Sequence, residues 1–320
     1  MNRAHGPLQT PGFHKNDFTT MVRRAMPANK PLWLVAAPFI FLLLWSGGFS
    51  IAKLGLKHAE PLSFLALRYA TVLAILLPLF LVMRPPLPQR RIEWLHLFIV
   101  GFLIQAVYFG LCYIAFKSGV SAGGVAIIVC LQPILVGLIA PHFTRERVSR
   151  LRWLGLALGL GGAATVIVSR SALEAENMTG VIAAVGGLLG ITAGTLWEKR
   201  FGRNHHPVVS NAVQYVAGLA GTLPLALTLE TFSFTWNAEF VAAWAYLVIG
   251  NSIIAMTLLL AMIRAGEVAR VSSLFYLVPP ISAVIAWPLL GEAMPPLGWL
   301  GFALAAIGVA LAGRAGRSRT

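Results

Sequence analysis

Charged residues punctuate this chain at intervals that match the thickness of a lipid bilayer. Uncharged runs occupy 31–52, 97–116, 118–141, 153–169, 177–197, 207–229, 240–263, 271–291 and 293–313, and a further apolar run, 61–83, is interrupted by Arg68 alone. Each approaches the roughly 20 residues a helix needs to cross a hydrocarbon core. Without water, a backbone there must satisfy its own hydrogen bonds, and a local run of this length does so as a helix. Only 11% of residues are charged and 58% are hydrophobic, against about 25% charged in a soluble domain. An ordinary soluble enzyme and a disordered chain are both excluded. The spacing predicts an all-α polytopic membrane protein with ten transmembrane helices and no room for a second, soluble domain.

The charges that remain define sidedness. Net charge is +14. With the N-terminus in the cytoplasm, Lys and Arg fall on the inner side in the N-terminal tail, 84–91, 145–152, 199–203, 264–270 and the C-terminal tail, twenty in all. The outer side receives Lys53, Lys57, Lys117 and Arg170. That asymmetry places both termini inside. Residues 1–30, with Arg23, Arg24 and Lys30, read as a cytoplasmic tail rather than a cleaved leader, and Met21 and Met26 are alternative starts. Residues 314–320 form a basic cytoplasmic tail. Basicity spread over short loops is a topology signal, so no nucleic-acid partner is expected. Cys112 and Cys130 lie within predicted spans without metal-ligand spacing, so neither a metal nor a cofactor is expected.

A shift of 146 positions brings the chain onto itself. Pro133 falls on Pro279, Glu146 on Glu292, Gly155 on Gly301, Gly162 on Gly308, Pro78 on Pro224, Lys53 on Lys199, and Arg68–Tyr69 on Gln214–Tyr215. The halves are 31–169 and 177–313, with five predicted spans each. Because five is odd, the second half enters the membrane from the opposite side, an arrangement that lets a central site face either side in turn. Duplication without alternating access, as in a structural membrane protein, is the alternative.

These features resemble the drug/metabolite transporter superfamily, EamA type. The resemblance rests on Leu43–Leu44–Trp45–Ser46–Gly47 in the first span and Leu65–Ala66–Leu67–Arg68–Tyr69 in the second. It continues through Leu131–Gln132–Pro133–Ile134 before Arg145–Glu146–Arg147, and Val278–Pro279 before Leu290–Gly291–Glu292. It covers about 31–313, and Pro and Glu stand thirteen apart in both halves. It departs at Gly190–Ile191–Thr192–Ala193–Gly194, where an aromatic-rich run is usual. The resemblance implies a bacterial inner-membrane carrier whose first, third, fourth, sixth, eighth and ninth spans surround a central cavity.

Pro133 and Pro279 fall near the middle of the fourth and ninth spans, where a proline bends a helix and serves as a hinge, a cavity wall or a static kink. Arg68 lies about 10 Å along its span from Pro61. It either snorkels and ties helix ends together or grips a substrate carboxylate from a cavity wall. Trp45, Tyr108, Gln132, Trp197, Asn251 and Tyr276 are the further cavity candidates, each equally able to act as packing glue. Glu146 and Glu292 precede the fifth and tenth helices and read as end-capping or gating groups.

Rival classes fare worse. A membrane transferase that binds pyrophosphate through magnesium needs clustered carboxylates, yet Asp17 is the sole aspartate and the glutamates scatter near span ends. No catalytic residues are assigned. A channel needs no two-state repeat and would show a ring of charge. The expected function is a permease that exports an amino acid or related small metabolite by alternating access, uncoupled or weakly coupled to protons. Its partners are that substrate and the lipid bilayer, with a second copy, as a homodimer, left open.

Overall fold

A computed structural model describes residues 32–144, 150–171, 178–203, 205–264 and 277–317. The chain divides into two compact units, Met1–Ala37 and Pro38–Thr320. Within the smaller, the described residues are the opening turns of the first helix. The larger holds the helical bundle.

Helices in chain order are α1 (Leu32–Gly55), α2 (Pro61–Met83), α3 (Arg91–Lys117), α4 (Ala122–Val129), α5 (Gln132–Thr144) and α6 (Arg150–Ser171). They continue as α7 (Met178–Phe201), α8 (Pro207–Leu229), α9 (238–264), α10 (Val278–Leu290) and α11 (Pro296–Arg317). Against the ten expected crossings, six helices among the described residues are long and apolar enough to span a membrane: α1, α2, α3, α7, α8 and α9. Shorter apolar helical stretches cover Ala122–Val136, Trp153–Val166, Val278–Leu290 and Pro296–Gly308. Large side chains such as Phe39, Leu81, Val82, Trp153 and Trp287 point outward, as they do where the surrounding solvent is hydrocarbon.

Several helix bounds repeat with the sequence shift. Leu32–Gly55 and Met178–Phe201, Pro61–Met83 and Pro207–Leu229, Gln132–Thr144 and Val278–Leu290, and Arg150–Ser171 and Pro296–Arg317 are each 146 apart. Both α3 and α9 widen into a π-helical segment, Phe102–Tyr108 and Tyr246–Ala255. Packing obeys the same relation. Gly162 of α6 abuts the backbone of Gly301 and Ala305 in α11, while Gly308 of α11 abuts Gly155 and Gly159 in α6. Subtracting 146 from one set of partners gives the other. Glycine is required there because a Cβ would strike main-chain atoms, and the close approach maximises dispersion contact where lipid supplies no hydrophobic drive. The rings of Tyr69 (α2) and Tyr215 (α8), also 146 apart, meet at 5.6 Å.

One end of the bundle gathers four glutamates. Glu230, just past α8, accepts from Leu62 N (2.9 Å), Ser63 N (2.7 Å) and Ser63 Oγ (2.6 Å), capping α2. Glu292, Glu239 and Glu60 pair with Lys53 (2.6 Å), Lys57 (3.7 Å) and Lys117 (3.4 Å). The loops after α1 and α8 touch through a bridge between Ala59 and Phe234, and Thr235 N donates to His58 O at 2.9 Å. At the other end, Arg203 binds Glu93 at 2.9 Å.

Pro133 and Pro279 both stand in the first turn of a helix. The fourth expected span is broken rather than bent: α4 stops at Val129, Cys130–Leu131 form a turn, and Pro133 is the second residue of α5. Pro279 likewise occupies the first turn of α10. A proline is favourable there because first-turn amides have no intrahelical acceptor and its φ is already helical.

Candidate functional site

Two adjoining chambers lie inside the bundle, and both are lined by Trp45, Phe49 and Tyr108. The smaller, about 30 Å³, reaches Arg68, Phe109, Tyr113 and Asn251. The larger, about 250 Å³, extends to Gln132, Pro133, Ile191 and Val278. Thirty cubic ångströms admits about two waters or one small polar group. At about 250 Å³ the larger chamber falls slightly below the usual size of small-molecule pockets, about 300–1,000 Å³. A small metabolite fits these dimensions.

Arg68 sets the electrostatics. Its position on α2 turns it away from lipid, and it is 2% exposed, so it does not snorkel. Nε donates to Ser252 Oγ at 3.1 Å, Nη1 to Tyr113 OH at 3.2 Å, and Nη2 to Asn251 Oδ1 at 3.1 Å and Ser252 Oγ at 2.9 Å. The guanidinium carbon also stands 5.2 Å from the centre of the Phe109 ring. All these acceptors are neutral. Among the described residues no carboxylate pairs with Arg68, and neither chamber is lined by Asp or Glu. A buried charge without a counter-ion costs several kcal/mol even after relaxation, and such residues in membrane spans mark substrate or ion pathways.

The local backbone explains how the acceptors reach it. The π-helical segment of α9 offsets the helix so that Ser252 Oγ donates to Leu247 O, five residues back, at 2.9 Å. Extra-wide turns of this kind recur at functional sites because they redirect side chains. Asn251 Nδ2 donates to Leu44 O of α1 at 3.2 Å, and Tyr246 OH donates to the same carbonyl at 3.1 Å. Gly48 permits this approach, since a Cβ there would run into the Asn251 amide.

Of the sequence-derived candidates, Trp45, Arg68, Tyr108, Gln132 and Asn251 gather around the two chambers, with Pro133 in the wall of the larger. Gln132 Nε2 donates to Thr195 Oγ1 of α7 at 2.8 Å. Pro279 is buried beside the chamber-lining Val278. Trp197 lines neither chamber; it packs on His96 (5.9 Å) and Phe201 (4.7 Å). Tyr276 and Glu146 lie outside the described residues. Glu292 does cap a helix, though not its own successor in the chain. Its Oε2 accepts from Ala122 N at 3.0 Å, so it caps α4 instead of α11 while Oε1 binds Lys53.

Sequence reasoning missed Phe49, Phe109, Tyr113 and Ser252, which resemble ordinary span residues until α2, α3 and α9 converge. It also missed Glu230 as the cap of α2. For Lys53 a signal existed: the shift aligns it with Lys199.

An apolar helical bundle that encloses an aromatic chamber with a buried cation defines a multi-pass membrane protein. The chain belongs to the EamA-like transporter family, whose model matches it twice, at residues 31–168 and 178–314. It is therefore a membrane transporter of the drug/metabolite superfamily. It is 23% identical to the uncharacterized inner membrane transporter YedA of Escherichia coli K12, over 87% of this chain and 90% of that one. It is 24% identical to the "Probable amino-acid metabolite efflux pump" of Salmonella typhimurium, over 80% of this chain and 86% of that one. A solved crystal structure superposes with TM-score 0.64 at 23% identity, covering 90% of this chain and 99% of the other, which shows the shared fold.

Proposed function

We propose that the protein exports an amino acid or related small metabolite across a bacterial inner membrane by alternating access. In this reading ten helices form two inverted five-helix repeats, 31–169 and 177–313, with the tails 1–30 and 314–320 in the cytoplasm. The observation that carries it is the pair of chambers lined from both halves: Trp45, Tyr108 and Gln132 from the first, Ile191, Asn251 and Val278 from the second. A compartment built between two related halves opens to one side when they tilt one way and to the other when they tilt back.

Shift-related helix bounds and glycine contacts support the repeat. Lys53, Lys57 and Lys117 gather at one end, while Arg84, Arg90, Arg91, Lys199, Arg200 and Arg203 flank helix ends at the other, which supports the Lys53 end as the outer one. Export of an amino-acid metabolite is drawn from the name of the Salmonella relative. Untargeted metabolite profiling of spent medium from overexpressing and deletion strains is the test. A solute that accumulates with overexpression and disappears on deletion identifies the cargo; identical profiles overturn export. With that solute in proteoliposomes, flux that survives collapse of the pH gradient identifies an uncoupled carrier.

A further inference from the structure

We infer that Arg68 is the anchor of an anion subsite, so that the cargo must carry a carboxylate and need not carry an ammonium group. This rests on the transport reading above and narrows its substrate class. Four observations combine. Arg68 is buried, and every hydrogen-bond acceptor it meets is neutral. It lines the small chamber, whose volume of about 30 Å³ suits one carboxylate group. A larger chamber shares its Trp45, Phe49 and Tyr108 walls and adds Ile191, which suits an apolar or aromatic body. Finally, the described lining of both chambers offers no Asp or Glu to an ammonium.

The geometry favours a charge-assisted interaction. Ser252, Asn251 and Tyr113 hold the guanidinium from three directions, which fixes its plane before a ligand arrives and lowers the ordering cost of binding. A carboxylate entering beside it gains a charge-assisted hydrogen bond and supplies the missing counter-charge in a low-dielectric site. An amide of the same shape offers only a neutral oxygen and leaves the cation uncompensated. An amino group can rest against the Trp45 or Tyr108 ring, but nothing in the described lining requires it.

The test uses the full-length protein purified in detergent and then reconstituted into liposomes. The probes are 3-phenylpropionate, L-phenylalanine and butyrate, each set against its amide. Acids are expected to raise the melting temperature and to show saturable flux, with at least about tenfold preference over the matching amide. Arg68→Gln should abolish that preference. Asn251→Asp provides a second variant: it places a fixed carboxylate beside the guanidinium, so acid binding should weaken while the fold's melting temperature holds or rises. Amides that bind and move as well as acids, in wild type, would overturn the anion subsite and leave transport standing. Acid-selective stabilisation without saturable flux of any probe would support the subsite and overturn the proposed export of such acids by alternating access. Acid preference that persists undiminished in both variants would place the anion elsewhere.

Discussion

Lys53 Nζ lies 2.6 Å from Glu292 Oε1, and the two residues come from opposite halves of the chain. Glu292 Oε2 meanwhile accepts from Ala122 N at the start of α4, and Lys53 also donates to Val120 O at 2.9 Å. One carboxylate thus fastens the end of α1, the start of α4 and the loop after α10. The side chains are mostly shielded, at 20% and 11% exposure, so solvent screening only partly weakens the bond. These contacts tie the Lys53 end of the bundle together.

Breaking that latch should loosen this end. Glu292→Ala removes both the ion pair and the helix cap, at a cost of about 1–3 kcal/mol, whereas Glu292→Gln keeps an acceptor for Ala122 N and should cost less. Melting temperature in detergent should fall in that order, with the alanine variant lowest. In a Cys130→Ser background, a membrane-impermeant maleimide added from the outer side should label Cys112, which lines the small chamber, faster in Glu292→Ala than in the parent. Equal labelling rates would show that the Lys53–Glu292 pair does not close the chamber.

Sidedness gives a second prediction. Reporter fusions that are active only in the cytoplasm should be active at both the N- and C-terminus, and the loop 230–237 should be accessible to periplasmic protease. Termini on opposite faces would break the inverted-repeat proposal, since two five-helix halves return the chain to its starting side.

The six long spans were readable in the sequence because charge is too costly in hydrocarbon to be placed at random, and helix bounds at Pro61 and Pro207 match the starts of apolar runs. The 146-residue shift was readable because glycines at a close crossing and prolines at helix starts admit few substitutes. The break after Val129 was not. A proline inside an apolar run reads equally as a kink or a new first turn, and tertiary packing decides between them. Arg68 stood out as the one charge within a span, yet its inward aim depends on Ser252 and Asn251, 184 and 183 residues away. Trp197 packs on His96 and Phe201 rather than lining either chamber, and helical phase within an apolar run does not say which neighbour a face meets.

The α6–α11 crossing should be the least tolerant of added volume. Gly162→Leu or Gly308→Leu would drive side-chain carbon into main-chain atoms of the opposite helix, and overpacking of this kind costs about 1–3 kcal/mol or more. Gly161→Leu, where an added Cβ meets nothing within 4 Å, serves as the neighbouring control. Fluorescence-detected size-exclusion profiles should show loss of the monodisperse peak for the first two and its retention for the third. Equal profiles for all three would mean the crossing is looser than its geometry implies.

Gln132 and Trp197 separate cavity from scaffold. Gln132 lines the larger chamber and bonds Thr195 of α7 at 2.8 Å, so Gln132→Ala should lower transport of the identified cargo severalfold through KM while membrane expression holds. Asn251→Ala should act more strongly, because it frees an Arg68 donor and a Leu44 carbonyl contact together. Trp197 instead packs beside His96 and Phe201 and lines neither chamber, and among the described residues its indole N–H has no partner. Trp197→Phe preserves the aromatic contact and removes only that unpaired donor, so flux should remain within about twofold of wild type. A loss of flux in Trp197→Phe equal to that in Gln132→Ala, at matched expression, would extend the transport path to the Glu93–Arg203 end and contradict the chamber assignment.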